Sequence, residues 1–192
     1  GDESTETQKP EEAAEEAKQE AAKQVEQKQF EQAESELKQA LQDIPGAAEL
    51  KKSLVVDNSP EGLRIQIVDQ EGRSMFEENS ARPNPRAQIL LRAVARIITA
   101  LPNRISITGH TSSVAGSNRS SAPADWSLSA RRADAARLIL EGAGVDVDRI
   151  YSVNGKAGSD PLYPDDPSQA GNRRISIILL REAPVLPSDT SL

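Results

Sequence analysis

Arg104–Arg137 reads RISITGHTSSVAGSNRSSAPADWSLSARRADAAR, and this stretch carries the strongest structural signal in the chain. Ile105 and Ile107 alternate with polar residues, the period of a strand with one buried face. That strand runs into Gly109-His110-Thr111-Ser112, and a Ser/Ala/Gly loop follows. A helix is then expected from about Ser127 to Glu141, with Arg132 in its first turns. Such an order places a hydroxyl-rich strand end and a guanidinium beside one loop-built cleft. The arrangement suits holding a small charged ligand better than transforming one.

The flanking segments extend the alternation. Upstream, Ser53–Asp57 and Leu63, Ile65 and Ile67 read as two strands around a turn at residues 58–62. Met75 and Phe76 are the apolar points of an otherwise polar linker and are expected to plug a core edge. Asn84 and Pro85 suit the start of a helix whose buried stripe is Ile89, Leu90, Val94, Ile97, Ile98 and Leu101. Downstream, Ala133, Ala136, Leu138 and Leu140 are expected to pack inward, and Gly142 and Gly144 to stop that helix. Arg149–Gly155 and Arg174–Arg181 supply two more strands around a Pro-rich loop. The order strand, strand, helix, strand, helix, strand, strand predicts an α+β two-layer sandwich: a mixed β-sheet with helices on one face.

A long acidic helix is expected ahead of this domain. Residues 1–43 hold 13 acidic and 5 basic side chains, while the rest of the chain holds 17 and 18. The net charge of -7 therefore belongs to the N-terminal segment, and no basic stripe marks a nucleic-acid partner. Glu11–Asp43 is rich in Ala, Glu, Gln and Lys, all strong helix formers. Its apolar spacing tightens after Phe30, so the second half should dock while the first stays solvated. The expected division is 1–10 disordered, 11–52 a helical linker, 53–183 the folded domain and 184–192 a disordered tail.

Several chemistries lack their residues. The chain contains no cysteine, so thiol and disulfide chemistry are excluded. His110 is its one histidine, a poor basis for a zinc site that needs three or four ligands. No cofactor or phosphate-loop motif occurs, and no apolar run is long enough to span a bilayer. The chain opens on Gly1 and its one methionine is Met75, from which a longer parent protein is expected.

Thr108-Gly109-His110-Thr111, then Leu128-Ser129 with Arg132-Ala133, Gly155, Pro161 and Asn172-Arg173-Arg174-Ile175 resemble, in order and spacing, the OmpA-like peptidoglycan-binding domain over residues 62–181. Gly62–Asp69 with Met75-Phe76, Leu101–Ser106 and Asp125–Ala130 are similar to the periplasmic region of the MotB-type flagellar stator subunits. In that family a transmembrane helix precedes this region and forms the ion channel with MotA; no such helix occurs in this chain. The resemblance implies noncovalent binding of the diaminopimelate stem peptide of peptidoglycan, without catalysis. It also implies a periplasmic domain anchored to the inner membrane, homodimerisation, and a plug-like role for 11–52.

Thr111, Ser112, Asp125, Leu128, Arg132, Asn172 and Arg173 are the peptidoglycan-binding residues the resemblance implies. The residue chemistry agrees, because Arg132 can grip a carboxylate with two parallel hydrogen bonds. One departure stands out: many family members have Asp where this chain has Ser112. A hydroxyl supplies no counter-charge for the ligand ammonium, and Asp125 is the candidate to compensate. The alternatives are an OmpA-like lipoprotein or secretion-system component, and a cell-wall peptide hydrolase using His110 with Ser112, Ser113 or Ser129.

Overall fold

A computed structural model describes residues 8–114, 116–119 and 121–182. Helix α1 spans Gln8–Gln42 and α2 spans Ala47–Lys51. Strands β1 (Leu54–Ser59) and β2 (Gly62–Val68) form a hairpin, followed by α3 (Pro85–Ala100), β3 (Ile105–His110), α4 (Pro123–Gly142), β4 (Ile150–Gly155) and β5 (Arg174–Leu180). The five strands make one mixed sheet in the order β1-β2-β5-β3-β4. Only the β3–β4 pair is parallel. This is the α+β sandwich expected from the sequence.

Register explains which face is covered. Directly paired residues point to the same side of a sheet. Leu63, Ile65 and Ile67 pair with Leu179, Ile177 and Ile175, which in turn pair with Ile105, Ile107 and Gly109. Those apolar side chains are all buried, with α3 and α4 against them. The intervening positions Gln66, Ser176 and Thr108, and likewise Arg174 and His110, fall on the other face, which carries no helix among the described residues. Antiparallel sheets commonly leave one face polar.

Helix α1 behaves in two halves, as its apolar spacing predicts. Phe30, Ala33, Leu37 and Leu41 are buried and join the core, whereas Val25 is 57% exposed. Docking begins at Glu26, whose Oε2 accepts from Asn103 Nδ2 and the Glu182 N–H, both at 3.1 Å. Gln27 accepts from Arg181, whose guanidinium lies 5.4 Å from the Phe30 ring centroid. Residues 8–25 project as solvated helix, about 27 Å at 1.5 Å per residue.

Four details depart from the sequence reading. Helix α1 starts at Gln8 rather than Glu11; Gly1–Thr7 and the tail 184–192 lie outside the described residues. Helix α4 starts at Pro123, four residues ahead of Ser127, because Pro fixes a helical φ at N1 and the Asp125 carboxylate accepts from the Ala122 N–H at 2.8 Å. Asn84 occupies the α3 N-cap position without capping; its Nδ2 donates to Ser74 O. Ile89 and Leu138 are exposed. The buried stripe of α4 is Ser129, Ala133, Ala136 and Leu140, and Leu138 stands two residues off it, on the opposite side of the helix.

Candidate functional site

The end of β3 and the first turns of α4 meet at a cleft of about 590 Å³. Glycines make the approach possible: the strand residues Gly109 and Gly155 pack directly on the Ser129–Ala130 backbone of α4. Ser129 Oγ donates to Trp126 O at 3.0 Å and accepts from the Ala157 N–H at 3.1 Å, tying helix to strand exit. The Thr111 N–H donates to Ala157 O, and the Ser113 N–H to Pro167 O, so the loops after β3 and β4 are cross-braced.

Thr111, Ser112, Asp125, Leu128, Arg132 and Arg173 all line this cleft, so the structure brings these sequence-derived candidates together. Arg132 is largely buried. Its Nε donates to Ser80 O at 2.8 Å and one Nη2 hydrogen to Glu77 O at 3.3 Å, while its guanidinium stacks 5.1 Å from the Phe76 ring centroid. One edge of the guanidinium is thereby fixed to the 74–83 loop. The Nη1–Nη2 edge is left open toward the cleft, and Nη1 has no hydrogen-bond partner among the described residues. Burial pulls the Arg132 pKa down, opposed first by the Asp69 carboxylate.

Asn172 is not part of the cleft lining. Its side chain is fully buried; Oδ1 accepts from the Tyr163 N–H at 2.8 Å and Nδ2 donates to Asp166 O at 2.9 Å. It clamps the 163–172 loop instead.

Asp69 is the cleft residue that sequence reasoning missed. It follows β2, is buried, and accepts from the Met75 N–H at 2.8 Å and from Arg173 Nε at 3.0 Å. Burial pushes its carboxyl pKa up, opposed by those two donors. Arg173 also donates through Nη1 to Ser112 Oγ at 3.0 Å. The Asp125 carboxylate lines the cleft mouth while one oxygen caps α4. Thr111 Oγ1 is buried without a partner among the described residues. The start of α4 offers little to an anion, since Pro123 has no N–H and the Asp125 N–H already donates to Ala122 O. Trp126 is 51% exposed in the first turn of α4 and lies outside the cleft lining.

The serine–histidine arrangement of a hydrolase does not form. Gly109 faces α4, so His110 points to the opposite side of the sheet from Ser129. Ser112 is engaged with Arg173, and His110 Nδ1 has no partner among the described residues. Burial, aided by the Arg174 and Lys156 charges and opposed by Asp160, lowers the His110 pKa to about 3. The folded protein therefore excludes a proton that the unfolded chain accepts below about pH 6.5. Stability should fall as pH drops through that window, by roughly 2 kcal/mol at pH 5. Urea titrations at pH 7.5 and pH 5 should show this loss, and His110→Gln should flatten it; an equal pH slope in the variant contradicts the assignment.

The family model described as "OmpA family" matches residues 75–174. Motility protein B of Escherichia coli (strain K12) is 37% identical over 147 residues, covering 77% of this chain and 48% of that protein. The chain thus spans about half the length of the curated motility protein it matches. A putative truncated flagellar export/assembly protein LafU of the same strain is 37% identical over 148 residues, 77% of this chain and 69% of that protein. Among solved structures, a putative MotB like protein from Desulfovibrio vulgaris has a TM-score of 0.64 at 20% identity, covering 84% of this chain and 99% of that one. The periplasmic domain of Helicobacter pylori MotB (residues 90–256) has a TM-score of 0.55 at 21% identity, covering 69% and 82%. The structural matches are likenesses of fold.

Proposed function

The chain belongs to the OmpA family, and on that premise we propose that it is the periplasmic, cell-wall-binding part of a flagellar stator subunit. It holds peptidoglycan noncovalently through the diaminopimelate stem peptide and makes or breaks no bond. Residues 53–183 form the binding domain, and 11–52 act as the tether between wall and membrane. A transmembrane segment outside this chain joins it to a MotA-type partner, and two copies pair. Fixed to the wall, such a subunit lets the membrane part push on the rotor without turning itself.

The observation that carries this reading is Arg132: a buried guanidinium, held along one edge by backbone carbonyls, with its other edge on a cleft of hydroxyls and carboxylates. Buried charges left with donors in reserve are costly, and an incoming carboxylate offsets that cost. Thr111, Ser112 and Asp125 supply the polar lining for the rest of the ligand head group. Leu128 covers its methylenes. No cofactor or metal enters this function.

Purified sacculi test the reading directly: the protein should co-sediment with diaminopimelate-type cell wall, and free stem peptide should compete it off. Failure to co-sediment refutes the assignment. Ser112→Asp should raise affinity for a stem peptide with a free diaminopimelate amine by about tenfold, through one charge-assisted contact. Isothermal titration measures this, and unchanged or reduced affinity counts against placing the amine at residue 112.

A further inference from the structure

The Asp69–Arg173 pair separates two hollows. One is the cleft of about 590 Å³ described above; the other, of about 520 Å³, is walled by Lys52, Glu71, Tyr163, Asp166 and Gln169. Asp69 and Arg173 line both. The partition is rigidly built. Arg173 Nε donates to Asp69 Oδ2 at 3.0 Å, the Asp69 N–H donates to Arg173 O at 2.9 Å, and Arg173 Nη1 donates to Ser112 Oγ at 3.0 Å. Tyr163 is held in the second hollow against Gly171, where a Cβ would meet its Cε2 at 2.7 Å, and the residue is 39% exposed.

This partition is a poor neighbour for an ammonium. Ser112 carries no charge, the guanidinium beside it repels a cation, and the Asp69 carboxylate is already committed to Arg173 and the Met75 N–H. An amide fits the same place. Its N–H can donate to Ser112 Oγ, and its carbonyl can accept from an N–H of Arg173, whose guanidinium has five donors and spends one on Asp69 and one on Ser112. Cross-linking of a cell wall makes that change: the side-chain amine of diaminopimelate becomes an amide to a neighbouring stem.

Resting on the cell-wall reading above, we propose that the two hollows form one site for a cross-linked peptide stem. The free carboxylate sits on Arg132, the acylated amine lies against Ser112 and Arg173, and the neighbouring stem continues over Tyr163 into the second hollow. The protein is thereby selective for wall that is already load-bearing, which is the wall an anchor needs.

Calorimetry with two purified muropeptides, an uncross-linked tetrapeptide monomer and the cross-linked tetrapeptide dimer, tests the proposal. The dimer is expected to bind about tenfold tighter, the equivalent of one or two added hydrogen bonds, one to a charged group. Tyr163→Ala should remove that advantage while leaving monomer affinity unchanged. Lys52→Ala, on an exposed side chain of the same hollow, should reduce it without disturbing the loop. Equal affinity for the two muropeptides, or variants that weaken both alike, overturns the proposal and leaves the cell-wall reading standing. Binding of neither muropeptide overturns both.

Discussion

Replacing Arg132 by alanine is expected to cut affinity for the stem peptide about a hundredfold, roughly 2.7 kcal/mol, and to abolish co-sedimentation with sacculi. A hydrogen-bonded charge pair in a partly dry cleft contributes more than an exposed one, and Arg132 is largely buried in the lining. Arg132→Lys should fall between the two, because an ammonium keeps the charge but cannot offer two parallel N–H groups. Truncation also releases the Ser80 and Glu77 carbonyls. Both lie on a loop that water can reach, so the folding penalty should stay near 1 kcal/mol and the alanine variant should remain folded. Circular dichroism confirms folding, and titration against the stem peptide then reads the loss. Undiminished binding by a folded Arg132→Ala protein removes the guanidinium from the site.

How the site was read from sequence follows from which contacts are local. The spacing Leu128-Ser129 to Arg132 lies within one helix, and Thr111-Ser112 follows directly on a strand, so their convergence needs one crossover only. Asp69 escaped notice because its partner Arg173 is 104 residues away. A lone carboxylate after an apolar strand announces no pairing by itself. The one available signal was that Asp69 stands at the end of a period-two strand, just ahead of the buried Met75-Phe76 pair. Asn172 and Arg173 are adjacent in the motif, which by itself does not separate their roles. A 3-10 turn at Ala170–Asn172 sends its amide into the loop while Arg173 turns to the cleft.

Strand alternation made the sheet legible, and helix termini were less so. Period-two apolar positions on β2, β3 and β5 all reached the covered face. Helix α4 has Ala122 at its N-cap, a side chain with no oxygen to announce a start. The sequence points to a start near Ser127, yet the helix is nucleated by Pro123 and by the Asp125 carboxylate reaching back. The early start puts Asp125 inside the first turn, where one oxygen caps the helix and the residue lines the cleft.

Gly109→Ala is expected to damage the domain severely, costing about 3–5 kcal/mol of the ~5–15 kcal/mol that holds a domain folded. Gly109 pairs with Gly155 across the parallel β3–β4 ladder, and α4 crosses over that pair. A Cβ at 109 would stand 2.0 Å from Ser129 O, and one at 155 would stand 2.4 Å from Ala130 N. Both obstacles are helix backbone, so relief requires α4 to lift from the sheet and break the Ser129 Oγ bond to the Ala157 N–H. Gly142→Ala is the matched control: nothing lies within 4 Å of its added Cβ, and alanine in a helical last turn should stabilise by under about 1 kcal/mol. Urea titration separates the two, with the midpoint falling for the first and holding or rising for the second. Because Leu128 and Arg132 ride on α4 while Thr111 and Ser112 follow β3, any folded fraction of Gly109→Ala should also bind stem peptide more weakly. Equal stability of the two variants would mean that helix and strand do not touch at this step, and the cleft built on that contact would lose its frame.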